Sequence, residues 1–279
     1  MTTLIFGAVL TAALLHAVWN AIAHAITDRL VGFALIGAAQ AVCGAVLAVF
    51  AGLPAAAAWP YLLVSGLLHI LYQGFLMLSF RLGDFGQVYP LARGIAPWAV
   101  ALGAAAFLGE SLSPMQLSGV LVVCAGLTAL VFAGGRPGRA QLPALAAAVT
   151  TGLIIATYTV VDGFGVRSSH DPIAYTAWLM LLEGPFFLLA AAAVRRRALW
   201  SQVRPVLAVG VTGGVLSTLA YGLVLWAQTQ GALAGIAALR ETSVVFGAVI
   251  GWLFLNERFG RIRAVSAVVV TVGIVLLSL

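Results

Sequence analysis

The sequence predicts an all-α integral membrane protein with ten transmembrane helices in two inverted five-helix repeats. Three observations carry this expectation. The 279 residues are 63% hydrophobic and only 8% charged, with a mean hydropathy of +1.11, whereas soluble domains carry about 25% charged residues. A soluble globule of this length could not cover its surface with so few charges. The apolar residues also gather into segments of about 20, the length that crosses a bilayer. Finally, a residue pattern recurs at one fixed offset in the two halves. Ten spans use about 200 residues and leave no room for a soluble catalytic or nucleic-acid-binding domain. The net charge of +6 does not argue for nucleic acid, because the arginines sit mainly in short loops between apolar segments.

The segments run near 3–25, 31–51, 58–80, 86–108, 115–133, 141–166, 172–194, 203–228, 232–254 and 261–279. The first follows Met1-Thr2 with no positive leader region and no convincing cleavage site, so it reads as a helix and not a signal peptide. Turn chemistry separates the others: Gly52-Leu53-Pro54, Gly83-Asp84, Ser113-Pro114, Gly134 to Gly138, Asp171-Pro172 and Gly260. No stretch alternates as a ten-residue lipid-facing strand does, which excludes a transmembrane β-barrel. Cys43 and Cys124 both fall within apolar segments and read as packed thiols, not a disulfide.

At an offset of 147, Phe107-Leu108-Gly109-Glu110 superposes on Phe254-Leu255-Asn256-Glu257, and Arg93 on Arg240. Five spans per half is an odd number, so the halves enter the membrane from opposite sides, as in the inverted repeats of secondary transporters. The expected units are 1–135 and 136–279, with the boundary in the Arg136/Arg139 loop. Loops after odd-numbered spans hold eleven arginines and loops after even-numbered spans only Arg167. Basic loops face the cytoplasm, which puts both termini outside a bacterial inner membrane.

Two five-span halves, each closing its fourth helix with Phe-Leu-x-Glu, resemble the EamA branch of the drug/metabolite transporter superfamily, and the likeness covers nearly the whole chain. Within it, His16-Ala17-Val18-Trp19-Asn20, Tyr89-Pro90-Leu91-Ala92-Arg93-Gly94 and Ala238-Leu239-Arg240-Glu241-Thr242-Ser243 resemble a phosphonate-utilisation-associated subgroup. The resemblance implies export or exchange of small metabolites through a central cavity lined mainly by the first, third, fourth, sixth, eighth and ninth spans. This chain departs from it in two respects. Many such exporters are N-inside, against the arginine count here. The first span also lacks the Glu with which small four-helix relatives hold a proton and a cationic drug.

Arg93 and Arg240 lie several residues inside their spans, and an Arg at the bilayer midplane costs about 2.5–3.5 kcal/mol on insertion scales, so each needs a partner. One reading is a structural ion pair with Glu183 or Glu241. The other is an anion clamp, in which guanidinium forks hold a carboxylate or phosphonate. Tyr89-Pro90 and Pro97 bracket Arg93, and two prolines should loosen that helix. His16, Asn20 and His24 recur at a spacing of four beside Trp19, and His69, Tyr72 and Gln73 share one face of the third span. Two such stripes are better explained by a wet cavity than by inert core histidines. A zinc site is disfavoured, since neither HExxH nor a Cys cluster is present.

The second half adds Thr151, Tyr158 and Asp162, then Ser217, Tyr221 and Gln228. Asp162, beside Gly163 and Gly165, reads either as a solvated helix end or as a coupling group. Glu183 precedes Gly184-Pro185 deep in its span and is a candidate ammonium partner or proton carrier, or a partner for an Arg. Arg240 and Glu241 are adjacent and point about 100° apart on a helix. They cannot face one ligand without local unwinding, which favours Arg240 as the ligand and Glu241 as a charge partner. Glu110 and Glu257 read as structural contacts to neighbouring helix ends. The Arg195-Arg196-Arg197 run is most simply a topology signal, with a lipid headgroup contact as its second reading.

The expectation is a secondary transporter, with no cofactor, exporting a small zwitterionic or anionic metabolite such as an amino acid or aminophosphonate. Arg240 and Arg93 would hold the acid group. His16, Trp19, Asn20, Tyr72, Gln73, Tyr89, Tyr158 and Tyr221 would shape the pocket, and Glu183, Glu241 or Asp162 would supply coupling or charge balance. The alternatives are a proton-coupled exporter of cationic or aromatic compounds, a lipid translocase and an intramembrane metal-dependent enzyme. A monomer suffices for one pathway, and a homodimer stays open.

Overall fold

In the computed structural model, residues 2–83, 85–110, 112–129, 138–254 and 261–278 are described. Among them the secondary structure is helical and no strand occurs. The helices are α1 (Thr3–Ala25), α2 (Arg29–Ala51), α3 (Trp59–Leu82), α4 (Phe85–Leu108), α5 (Pro114–Ala129), α6 (Leu142–Ser169), α7 (Pro172–Arg195), α8 (Leu199–Val203), α9 (Leu207–Gln228), α10 (Leu233–Arg240), α11 (Thr242–Phe254) and α12 (Arg261–Ser278). Glu257, Asp84, Arg136, Arg258 and the expected boundary at 135/136 lie outside the described residues, as does the His24 side chain.

Local chemistry explains where the helices begin. Asp28 caps α2 by accepting from Leu30 N at 3.1 Å and Val31 N at 3.3 Å, and Asp171 does the same for α7 ahead of Pro172. Ser113 and Gln116 form a reciprocal capping box at α5, at 3.2 and 3.1 Å. Gly52 ends α2 with φ +74°, a conformation that favours glycine.

Two expected spans are interrupted. The segment near 203–228 resolves into α8, a tight turn over Arg204–Val206, and α9; Pro205 within that turn has no N–H to give to a continuous helix. The segment near 232–254 breaks at Glu241 into α10 and α11. There Glu241 N bonds Ala238 O, Val244 N bonds Glu241 O, and the Thr242 hydroxyl takes the Leu239 carbonyl. By contrast, α4 stays helical through Pro90 and Pro97, so the expected loosening there is not a break.

Polarity is distributed as a lipid solvent demands. Phe50, Val49 and Phe107 are 84%, 81% and 74% exposed, while Arg93, Glu183, Arg240 and Glu241 are buried. Among the described residues, six helical stretches, from Thr3–Ala23 to Pro172–Gln228, are long and apolar enough to cross a membrane. The chain is a multi-pass membrane protein. Close packing of α2 on α7 stiffens one side of it: a Cβ added at Gly184 would lie 2.5 Å from Gly37 O and 2.9 Å from Ala41 N. The resulting backbone contact sits next to Glu183 and sets that residue's depth.

Candidate functional site

A cavity of about 680 Å³, counting its open mouth, lies among α1, α2, α3, α6, α7, α9 and α10. His16 and Trp19 come from α1, Gln40 from α2, His69, Tyr72 and Gln73 from α3, Tyr158 from α6, Glu183 from α7, Ser217 and Tyr221 from α9, and Arg240 from α10. Apolar groups such as Phe33, Met180 and Val224 complete the wall. It is concave and mostly apolar with a few convergent polar groups, which is the general character of small-molecule sites.

Its aromatic side is interlocked. The His69 ring stacks on Tyr158 with centroids 4.1 Å apart and meets Tyr221 edge-on at 5.2 Å; Tyr72 packs against Tyr158 at 5.7 Å. On α1, Trp19 Nε1 donates to His16 Nδ1 at 3.2 Å. An indole N–H can only donate, so His16 Nδ1 must be the acceptor and a neutral His16 carries its proton on Nε2. Gln40 Nε2 donates to Ser217 Oγ at 3.1 Å, tying α2 to α9.

The charged groups separate into two kinds. Arg93 is 2% exposed and its Nε lies 2.8 Å from Glu241 Oε2, which is itself fully buried. Arg93 also donates to Ser243 Oγ at 2.9 Å and faces the Tyr89 ring at 5.9 Å. Arg240 is farther from the same carboxylate, with Nε 3.8 Å from Glu241 Oε1. Its Nε and Nη2 make no hydrogen bond among the described residues. Glu183, 3% exposed, approaches His69 Nδ1 only to 4.0 Å, and its Oε2 is likewise unsatisfied. A proton on His69 Nδ1 would be donated to the Ser65 carbonyl, 2.9 Å away.

Of the residues expected at the site, His16, Trp19, Tyr72, Gln73, Tyr158, Tyr221, Glu183 and Arg240 line the cavity. Asn20, Tyr89, Arg93, Glu241 and Asp162 do not. Asn20 spends its amide on the His16 carbonyl at 2.8 Å, one turn back on its own helix. Arg93, read in sequence either as half of a clamp or as a member of a structural ion pair with Glu183 or Glu241, pairs with Glu241 behind the wall. Glu183 has no arginine partner among the described contacts; the ionisable side chain it approaches there is His69.

Asp162 is not a solvated helix end. The helix continues to Ser169, with Gly163 packed under Leu233 and Gly165 under the Tyr175 ring. Asp162 is completely buried and accepts from Tyr175 Oη at 2.8 Å and from Tyr221 Oη. Through Tyr221 it fixes one cavity hydroxyl. Glu110 meets a neighbouring helix end as expected: it accepts from Leu233 N at 2.8 Å at the start of α10 and from Arg167 at 2.9 Å.

Gln40 was missed by the sequence reading. It lies mid-helix in a segment otherwise apolar from Leu30 to Ala51, and a lone polar residue there was the available signal. The resemblance also placed the fourth span in the wall, yet none of the described side chains of α4 lines it, whereas side chains of α2 and α7 do. Among the described residues, no three His, Cys, Asp or Glu side chains are grouped to hold a metal ion.

Comparison with known proteins adds to this geometry. Residues 142–279 match the model of the EamA-like transporter family. A chloroplastic WAT1-related protein of Arabidopsis thaliana is 26% identical over 198 residues, covering 65% of this chain and 46% of that one. The chain thus spans about half the length of the curated relative it matches. A solved crystal structure superposes with a TM-score of 0.77 at 17% identity, covering 100% of this chain and 98% of the other. The helical fold is therefore shared end to end with an experimentally determined one.

Proposed function

We propose that the chain, whose residues 142–279 match the model of the EamA-like transporter family, is a secondary transporter of a small zwitterionic metabolite, working by alternating access. One observation carries this reading. A single cavity holds a buried guanidinium and a buried carboxyl group, Arg240 and Glu183, each with polar atoms that make no hydrogen bond among the described residues. Buried charges are costly unless paired and hydrogen-bonded. A substrate with an acid at one end and an ammonium at the other supplies both missing partners.

The division of labour follows from the distances. Glu241 is held by Arg93, which leaves the Arg240 guanidinium free to present its fork to a carboxylate or phosphonate. The break between α10 and α11 is what allows adjacent residues to serve different partners. Glu183 receives the ammonium, with the His69, Tyr158 and Tyr221 rings beside it. Gln40, Gln73, Ser217 and His16 complete the polar lining.

The inverted five-helix repeats, 1–135 and 136–279, are part of the same proposal. The packing supports them: α2 lies against α7, α5 against α12, and α3 on α6 is matched by α1 on α9. These are the pairs expected when each span in one half exchanges with its counterpart in the other. We place the arginine-rich end in the cytoplasm, with both termini outside, on loop charge alone. Asp162 and Glu183, buried beside His69, are the groups we assign to coupling.

The test is counterflow in proteoliposomes loaded with unlabelled amino acids or aminophosphonates. Native protein should accumulate labelled substrate, and Arg240→Gln, reconstituted to the same level, should not. Unimpaired counterflow by that variant would overturn the clamp. Uptake confined to cationic substrates would favour the cation-exporter reading, with Glu183 and the aromatic wall as its site.

A further inference from the structure

The link between α7 and α9 runs along one end of the bundle and presents a surface that the transport reading does not use. Arg195 closes α7 and is committed, with Nη2 2.6 Å from Asp28 Oδ2. Arg196 then turns the chain, at φ +48°, into a short path that carries α8 and ends at Leu207. Leu199, Val203 and Val206 point inward and pack on Val31 and Leu35 of α2. The opposite face holds Arg196, Arg197 and Arg204, all exposed. Among the described residues none of the three takes part in an ion pair or a side-chain hydrogen bond. Trp200 stands between them, 68% exposed.

Two spans leave and re-enter the bilayer at the ends of this path, so the link lies at the membrane surface. Trp at such a level is a membrane–water interface anchor, and exposed guanidinium groups beside it meet the phosphate layer. We propose that residues 196–204 form a binding site for an anionic phospholipid, with Arg196, Arg197 and Arg204 on the headgroup phosphate and Trp200 at the headgroup–acyl boundary. The site has no enclosing polar walls. Exposed Val194 and Leu207, 67% and 40% accessible, flank it. A free phosphate would gain little there, whereas a lipid brings acyl chains that cover the apolar rim. A pure topology signal requires the charge but neither the docked α8 nor an outward Trp. The inference rests on the membrane-spanning fold and not on the choice of substrate.

The probe is quenching of Trp200 by bromine-labelled lipid, taken as the difference between native protein and Trp200→Phe in nanodiscs. Brominated phosphatidylglycerol in a phosphatidylcholine background is compared with brominated phosphatidylcholine alone. The expected result is stronger quenching by phosphatidylglycerol. That preference should fall by about fivefold for each arginine removed in Arg196→Gln, Arg197→Gln and Arg204→Gln. The corresponding Arg→Lys triple variant, which keeps the charge and the insertion signal, should retain it. Equal quenching by both lipids in native protein would reduce Trp200 to an unspecific anchor and overturn the proposal. So would a preference that survives the triple Gln substitution, or one abolished by millimolar inorganic phosphate.

Discussion

Replacing Glu241 by Gln separates the structural arginine from the ligand arginine. The carboxylate lies 2.8 Å from Arg93 and 3.8 Å from Arg240. At an effective dielectric of about 20 these distances correspond to about 6 and about 4 kcal/mol of attraction, most of it offset by the cost of desolvating the three charges. Neutralising Glu241 leaves two cations, 2% and 4% exposed, without the carboxylate that both approach. Removing one partner of a buried pair costs about 3–5 kcal/mol, and that is the expected loss for Glu241→Gln. Arg240→Gln leaves the closer Arg93–Glu241 pair intact and also removes the cost of burying a second cation, so it should lose less than the about 3–5 kcal/mol expected when that pair is broken. Denaturant titration in mixed micelles, followed by tryptophan fluorescence, measures both. A Glu241→Gln protein as stable as native would refute the assignment, as would an Arg240→Gln protein that loses as much.

Glu183→Gln should weaken binding of zwitterions by about 10- to 100-fold while sparing simple acids, because only the ammonium loses a charge-assisted hydrogen bond of about 1.5–3 kcal/mol; titration calorimetry on both ligand types checks it. Gly184→Ala should destabilise the protein by about 1–3 kcal/mol, since its Cβ would meet Gly37 O at 2.5 Å. The same micelle titration reads that loss. Tyr221→Phe removes one of the hydroxyls that serve the fully buried Asp162, Ser65 and Tyr175 remaining, and should cost about 0.5–1.5 kcal/mol for the lost hydrogen bond. It should also lower substrate affinity, because the lost hydroxyl sits in the cavity wall. Unchanged stability would mean that Asp162 does not depend on that bond.

Helix positions were legible because the segments are largely apolar and end in Gly, Pro or a capping Asp or Ser, as at Gly52, Asp28 and Ser113. The cavity-lining residues anticipated from sequence were readable for a related reason: in so apolar a chain, His16, His69, Tyr72 or Glu183 has few reasons to occur except at an interior wet surface. What sequence could not supply was rotation. Arg93 and Arg240 superpose at the sequence offset of 147, yet one turns behind the wall and the other into it. That choice depends on Glu241, whose direction is set by a helix break that four consecutive residues, Arg240-Glu241-Thr242-Ser243, do not announce. Asp162 was ambiguous for a similar reason. Two flanking glycines suggest a helix end, but here they make room for Leu233 and the Tyr175 ring, and the helix continues past them. Gln40 was overlooked because one amide in a long apolar run carries no periodicity.

The account turns on Arg240 being the acid-binding group of a zwitterion site, and thermal unfolding of purified protein with a ligand panel tests that most directly. The panel holds amino acids, aminophosphonates, simple carboxylates, and choline-like and aromatic cations, run on native protein and on Arg240→Gln. A ligand at about 100 times its dissociation constant adds about 2.7 kcal/mol to stability. The account predicts that zwitterions raise the native unfolding temperature and leave the variant unmoved. Stabilisation by zwitterions that persists undiminished in Arg240→Gln, or stabilisation of native protein by cations alone, would contradict it.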